Sequence, residues 1–246
     1  MSVKYETTVK LPSNGRLYDD IPTEFTIRAM TTAEEKLILG STSDDAFDRI
    51  LKNCVVSPAN IDINKLVSSD KHFLMLKLRV HTYGSNYNVN CKCPECRSKI
   101  DLEVNLDEFP IYELPEDFTE PIEFVLPVNG DKLSCRLLRG SDLESIRKQS
   151  KKLSKSMKAN AKELAFDMRM AKYITKINDE PIEDSLQALK YVQNLHGKDS
   201  AYFWFMLNEV EIGYDTTIEV ECPECGNEFE TTMPITSEFF RPKFRK

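Results

Sequence analysis

The amino-acid sequence predicts an α+β protein built from two structurally related halves, an internal duplication, and three observations carry that expectation. A turn signature, Leu11-Pro12-Ser13-Asn14-Gly15, returns as Leu126-Pro127-Val128-Asn129-Gly130. Each copy is followed by a Ser/Thr-x-x-Glu box, Thr32-Ala33-Glu34-Glu35 and Ser141-Asp142-Leu143-Glu144. In such a box the hydroxyl and the carboxylate each satisfy a free amide at a helix start. Finally, Asp70, Gly84 and Cys93-Pro94-Glu95-Cys96 return at unchanged spacing as Asp199, Gly213 and Cys222-Pro223-Glu224-Cys225, with an apolar run between Asp and Gly both times. Three ordered blocks are hard to obtain by chance.

The elements follow in order. Residues 4–10 and 23–29 alternate as short strands, and Asn14-Gly15 is a turn signal between them. A helix runs from Thr32 to about Leu39, closed by Gly40, and a second covers 44–54, with Ala46, Phe47, Ile50 and Leu51 at helical spacing. Residues 70–82 form an apolar helix for which Asp70, like Asp199 in the second copy, reads as the N-cap. Strands at 87–90 and 100–104 flank the first Cys-Pro-Glu-Cys turn, and strands at 217–220 and 229–233 flank the second. The expected organisation is a first repeat at 1–110 with its cysteine turn at 91–96 and an acidic, proline-rich linker at 111–123. A second repeat follows at 124–236, with a lysine-rich helical insertion and the turn 222–225, and then a basic-aromatic tail at 237–246.

Composition bounds the function. The chain has 246 residues, 41% hydrophobic and 30% charged, so a packed core is possible. Only 8 residues are glycine, which argues against phosphate-cradling loops, and the net charge of −7 disfavours general binding to DNA or anionic membrane. No apolar run approaches the ~18–20 residues that cross a bilayer. The start lacks the apolar core of a signal peptide. A reducing cytoplasm is therefore the expected setting, and paired cysteines there read as metal ligands before disulfides.

A Cys-x-x-Cys turn presents two thiolates on one side of a tight hairpin, and zinc needs four ligands. If the halves pack about a pseudo-twofold axis, the two turns meet as zinc knuckles in a structural four-cysteine site of Cys93, Cys96, Cys222 and Cys225. Cys91 is excluded because the second copy has Val220 there. Cys54 and Cys135, among apolar neighbours, read as core. His72, His81 and His196 have no motif partners, and no hydrolase, P-loop or dinucleotide signature occurs. Four thiolates also leave no open coordination position, so no catalytic residue is assigned and an enzyme is not expected. Seven basic residues from Arg147 to Lys162 (Arg147, Lys148, Lys151, Lys152, Lys155, Lys158 and Lys162) read as a helical face, solvated or docking an acidic partner. The tail from Phe239 to Lys246 mixes aromatics with cations, as interface anchors do. A zinc-ribbon nucleic-acid module and a thiol oxidoreductase are the rival readings.

The block from Leu11 through Ser41, a helix ending near Cys54, then Tyr83-Gly84 and a Cys-Pro-Glu-Cys turn resembles the baseplate hub and hub-assembly proteins of T-even-like contractile-tailed phages. The resemblance implies a non-enzymatic structural or assembly protein. It would act in the host cytoplasm during assembly, or in the virion tail, and its partners would be other tail and baseplate hub proteins. No residue role is carried over from it.

Overall fold

A computed structural model describes residues 5–40, 45–157, 160–233 and 237–240. In chain order the elements begin with β1 (Glu6–Lys10), β2 (Glu24–Arg28), α1 (Thr32–Gly40), α2 (Asp45–Cys54), β3 (Val55–Ser57), α3 (Ser68–Tyr83), β4 (Asn86–Lys92), β5 (Lys99–Asn105) and β6 (Ile111–Tyr112). They continue with β7 (Ile122–Val125), β8 (Lys132–Cys135), α4 (Gly140–Met157), α5 (Ala161–Tyr173), β9 (Ile174–Ile177), β10 (Glu180–Pro181), α6 (Ser185–Gln193) and α7 (Gly197–Asn208). Last come β11 (Gly213–Tyr214), β12 (Thr217–Glu221) and β13 (Glu228–Thr232). The chain divides into two compact units: one of Met1–Ile63, His72–Glu113 and Ile212–Lys246, the other of Asn64–Lys71 and Leu114–Glu211.

In the first unit β1, β2 and β3 form an antiparallel sheet in that order. Alternation drives β2: Phe25 and Ile27 are fully buried between more exposed neighbours. The turn leaving β1 places Asn14 and Gly15 at φ 54° and 72°, and a Cβ on Gly15 would stand 3.0 Å from Thr23 Oγ1. Helix α2 buries Ala46, Ile50, Leu51 and Cys54 along one stripe. Arg28, at the end of β2, grips Glu34 of α1 with both guanidinium nitrogens at 3.2 and 3.0 Å and donates to the Ala29 carbonyl. Thr31 N donates to Glu34 Oε2 and Ala33 N to Thr31 Oγ1. The capping box is thus Thr31–Glu34, one residue before the register expected from sequence. The adjacent threonines allow both registers, and the arginine selects Glu34. Glu35 instead accepts from the Tyr83 hydroxyl at 2.7 Å.

The second unit carries a four-stranded sheet. Its sheet runs β10-β9-β8-β7, antiparallel throughout. Arg136 forks onto Asp142 at 2.7 and 2.9 Å and donates to the Leu137 carbonyl, while Arg139 N donates to Asp142. Here too the box is displaced: Asp142, not Glu144, turns back on the helix start, and Glu144 pairs with Lys148. A register irregularity falls between Thr26 and Ile27 on β2 and between Ser134 and Cys135 on β8. In both units a helix runs without a loop into a strand, at Cys54–Val55 and at Tyr173–Ile174. The core gathers Phe124, Leu126, Leu133, Cys135, Met170, Ile174, Phe203 and Leu207.

Asp199 corrects another expectation. It does not cap α7, whose N-cap is His196, with Nδ1 accepting from Lys198 N. Instead the fully buried Asp199 carboxylate accepts from Val128 N at 2.7 Å and Asn129 N at 3.2 Å. It holds the Leu126–Gly130 turn by its own backbone. Asp70 likewise lies inside its helix, the third residue of α3. The basic stretch is not one helix: α4 ends at Met157 and α5 starts at Ala161 under the Asn160 cap, so Lys162 belongs to a different helix. Lys158 lies outside the described residues.

Candidate metal centre

Two antiparallel hairpins of the first unit carry the cysteine turns, β4–β5 and β12–β13. Each alternates buried and exposed residues, with Tyr87 and Val89 inward on β4 and Ile218 and Val220 inward on β12. The corner from α3 into β4 is set by Gly84 at φ 86°, and the chain enters β11 at Gly213, φ 95°. Both conformations favour glycine, which accounts for the repeat of that residue. Arg79 pins the first corner. Fully buried, it donates to the Gly84 carbonyl and, at 2.8 Å, to the Asn86 carbonyl. Its guanidinium lies 5.5 to 6.0 Å from the rings of Tyr83, Tyr87 and Phe239. Aromatic faces and carbonyls thus take the place of a carboxylate.

The two turns close in the same way. Cys93 N donates to Ser98 O and Arg97 N to Cys93 O; Cys222 N donates to Asn227 O and Gly226 N to Cys222 O. The residue after the second cysteine is left-handed both times, Arg97 at φ 64° and Gly226 at φ 70°.

The turns bring Cys93, Cys96, Cys222 and Cys225 together, all four sulfurs lying within 4.8 Å of one another. Cys93 Sγ is 3.7 Å from Cys225 Sγ, and Cys96 Sγ is 3.6 Å from Cys222 Sγ. A disulfide would need about 2.05 Å; all seven cysteines are free. Four sulfurs about 2.3 Å from a central zinc would stand about 3.8 Å apart at the corners of a tetrahedron, so the donor set and its spacing could hold such an ion. Cys93 and Cys222 are buried, Cys96 and Cys225 exposed.

Electrostatics mark the crowding. The Ser98 hydroxyl, 3.3 Å from Cys222 Sγ, draws that thiol down to about 6 against the effect of burial, helped by the Glu224 and Cys225 amides. Ser98 also lowers Cys96, at 3.0 Å. Cys225 is pushed up to about 12: the Asn227 amide pulls it down, but the Cys96, Cys222 and Cys93 sulfurs, with burial, outweigh it. Four thiols this close cannot all ionise without a cation among them. Ser98 is a neighbour of the candidate thiols that the sequence does not signal. It sits where the second turn has Asn227, so comparing the two turns does not point to it.

The other candidates fall elsewhere. Cys91, on β4 opposite Ile100, is outside the four-sulfur cluster. Cys54 and Cys135 are fully buried, and burial pushes both thiols up to about 12. His81 Nε2 meets the Tyr5 carbonyl at 2.8 Å, and His196 caps α7. Phe239 and Phe240 of the tail are buried, packed on Tyr87 and Phe47 respectively; Arg241–Lys246 lies outside the described residues. No helix among the described residues is long and apolar enough to cross a membrane.

Fold and site together define an α+β protein whose distinguishing feature is a four-thiol cluster between two hairpin turns. The chain belongs to the T4 bacteriophage base plate protein family, whose model matches residues 2–241. That family implies a structural component of the phage tail that interacts with other tail proteins. Comparisons with curated proteins and with solved structures return no match.

Proposed function

We propose that the chain is a non-enzymatic structural or assembly protein of the baseplate hub, made of two related halves and stapled by one structural zinc on Cys93, Cys96, Cys222 and Cys225. The observation that carries the metal is the convergence of four free thiols from turns 126 to 132 residues apart. Zinc would supply the positive charge that lets all four ionise, and its binding energy would become folding energy. It would join the two chain segments on either side of the second unit, closing a long loop whose entropy otherwise opposes folding.

Duplication is supported by the recurring details: the arginine fork onto a carboxylate six residues later, the matched strand irregularities and the left-handed glycines. The nucleic-acid reading gains nothing from the site. The hairpin leading into the second cysteine turn pairs Glu219 with Glu230 and Glu221 with Glu228, a face that repels phosphate.

The test is reconstitution. Metal-loaded protein mixed with the other hub proteins of its phage should form a complex at micromolar concentration, and chelated protein should form less of it. Absence of any complex with the loaded protein would contradict the hub role. Equal complex formation after chelation would contradict the structural metal.

A further inference from the structure

The four-thiol cluster is matched between its two turns in the backbone and unmatched in the side chains. In each turn the residue two places after the second cysteine aims its amide at that cysteine's sulfur: Ser98 at Cys96 and Asn227 at Cys225. Ser98 adds its side chain. The hydroxyl oxygen lies 3.0 Å from Cys96 Sγ in its own turn and 3.3 Å from Cys222 Sγ in the other. One hydroxyl therefore touches a sulfur of each hairpin, the exposed Cys96 and the buried Cys222. The matching pair, Cys93 and Cys225, meets sulfur to sulfur at 3.7 Å, and among the described residues it receives no hydroxyl.

We propose that Ser98 is a positioning residue of the metal centre, its hydroxyl donating to the sulfurs of Cys96 and Cys222 and holding the two turns in place around the ion. This inference rests on the reading of the four thiols as a zinc site. Zinc binds thiolates. A thiolate has no proton to give, so in the loaded site the serine oxygen is the donor and the sulfurs are the acceptors. Four thiolates around a divalent ion leave an excess of negative charge, and a donor aimed at sulfur stabilises that excess. Placement matters as much as charge. The two hairpins are separate two-stranded sheets, and Cys96 and Cys222 stand 126 residues apart in the chain. The hydroxyl is a contact common to both, made by a group that does not itself bind the ion. Removing a partner of this kind from behind a metal ligand lowers affinity by about 10–100-fold.

The test loads the full-length protein with Co²⁺, whose absorption reports the sulfurs around it, and measures Zn²⁺ affinity by competition with a chelating dye. Ser98→Ala keeps the backbone amide and the carbonyl that accepts from Cys93 N, so the turn retains its closure. The variant should still take one metal per chain with a tetrahedral four-sulfur cobalt spectrum. Its Zn²⁺ affinity should fall by about 10–100-fold. Its thiolate-to-cobalt charge-transfer band should move to lower energy, because a sulfur that loses a hydrogen bond gives up its electron more readily. Ser98→Thr, which keeps the hydroxyl, should restore both. Asn227→Ala, at the same place in the other turn, should leave both unchanged. Unchanged affinity and an unmoved band in Ser98→Ala overturn the proposal and leave the metal site standing. An Asn227→Ala loss equal to that of Ser98→Ala also overturns it, since turn packing would then be responsible rather than the hydroxyl. Wild-type protein that takes up neither Co²⁺ nor Zn²⁺ overturns the zinc reading itself, and the role of Ser98 with it.

Discussion

The buried Asp199 carries much of the stability of the second unit's first turn, because one carboxylate holds it by two backbone amides. Replacing it with alanine leaves Val128 N and Asn129 N without their acceptor, and the carboxylate that bound them is fully buried. Hydrogen bonds to a charged acceptor contribute about 1.5–3 kcal/mol each, so Asp199→Ala, which removes two of them, should cost about 3–6 kcal/mol. In a chain of this size, at about 2–4 °C per kcal/mol, that lowers the melting temperature by about 6–24 °C. Asp199→Asn keeps one acceptor oxygen and turns an amide N–H₂ toward a backbone N–H; it should recover less than half of the loss. Urea denaturation of the two variants, with an unchanged dependence on denaturant, is the assay. A loss below about 0.5 kcal/mol in Asp199→Ala would refute the reasoning and show that the turn is held by its own sequence.

Other expectations are smaller. Glu34 is held down to about 2: burial raises it, but the Arg28 guanidinium and the Thr31 amide and hydroxyl outweigh burial. A depressed carboxylate contributes stability that is full above its ordinary value of 4.5 and is lost as pH falls toward 2. Glu34→Gln should therefore flatten the acid limb of a stability–pH curve between those values. Gly226 meets no atom that a Cβ would strike, yet it sits at φ 70°, so Gly226→Ala should destabilise by about 1 kcal/mol through backbone strain alone. Arg97→Gly, at φ 64°, should move the other way; both are read from thermal melts of the metal-loaded protein. Glu219 and Glu230 face each other across β12 and β13, so Glu230→Lys should stabilise by about 0.5–1 kcal/mol at low salt. Added salt should shrink that gain.

Local sequence specifies much of this, for identifiable reasons. The cysteine turns, their flanking strands and the helices at α1, α2 and α3 follow from period and turn chemistry, which act over a few residues. The helix caps lie one or two residues from the register the sequence predicts because Arg28 and Arg136, arriving from a neighbouring strand, select Glu34 and Asp142. Asp70 and Asp199 were visible as a matched pair but not for what Asp199 does. A carboxylate that binds a turn about 70 residues away looks in sequence like an ordinary cap. Two things left no trace in the pattern: the role of Ser98, which has no counterpart in the second turn, and the burial of Arg79 among rings. In the stretch 111–123, β6 pairs with β11 at Tyr112 and Gly213, a partnership too short for periodicity to announce.

Native mass spectrometry, which keeps the ion bound, tests the central claim most directly. One zinc per chain is expected, lost in Cys222→Ser together with about 10 °C or more of thermal stability, and retained in Cys54→Ser. A metal-free protein lighter by two hydrogens for each cysteine pair, or a metal that stays bound in Cys222→Ser, would contradict it.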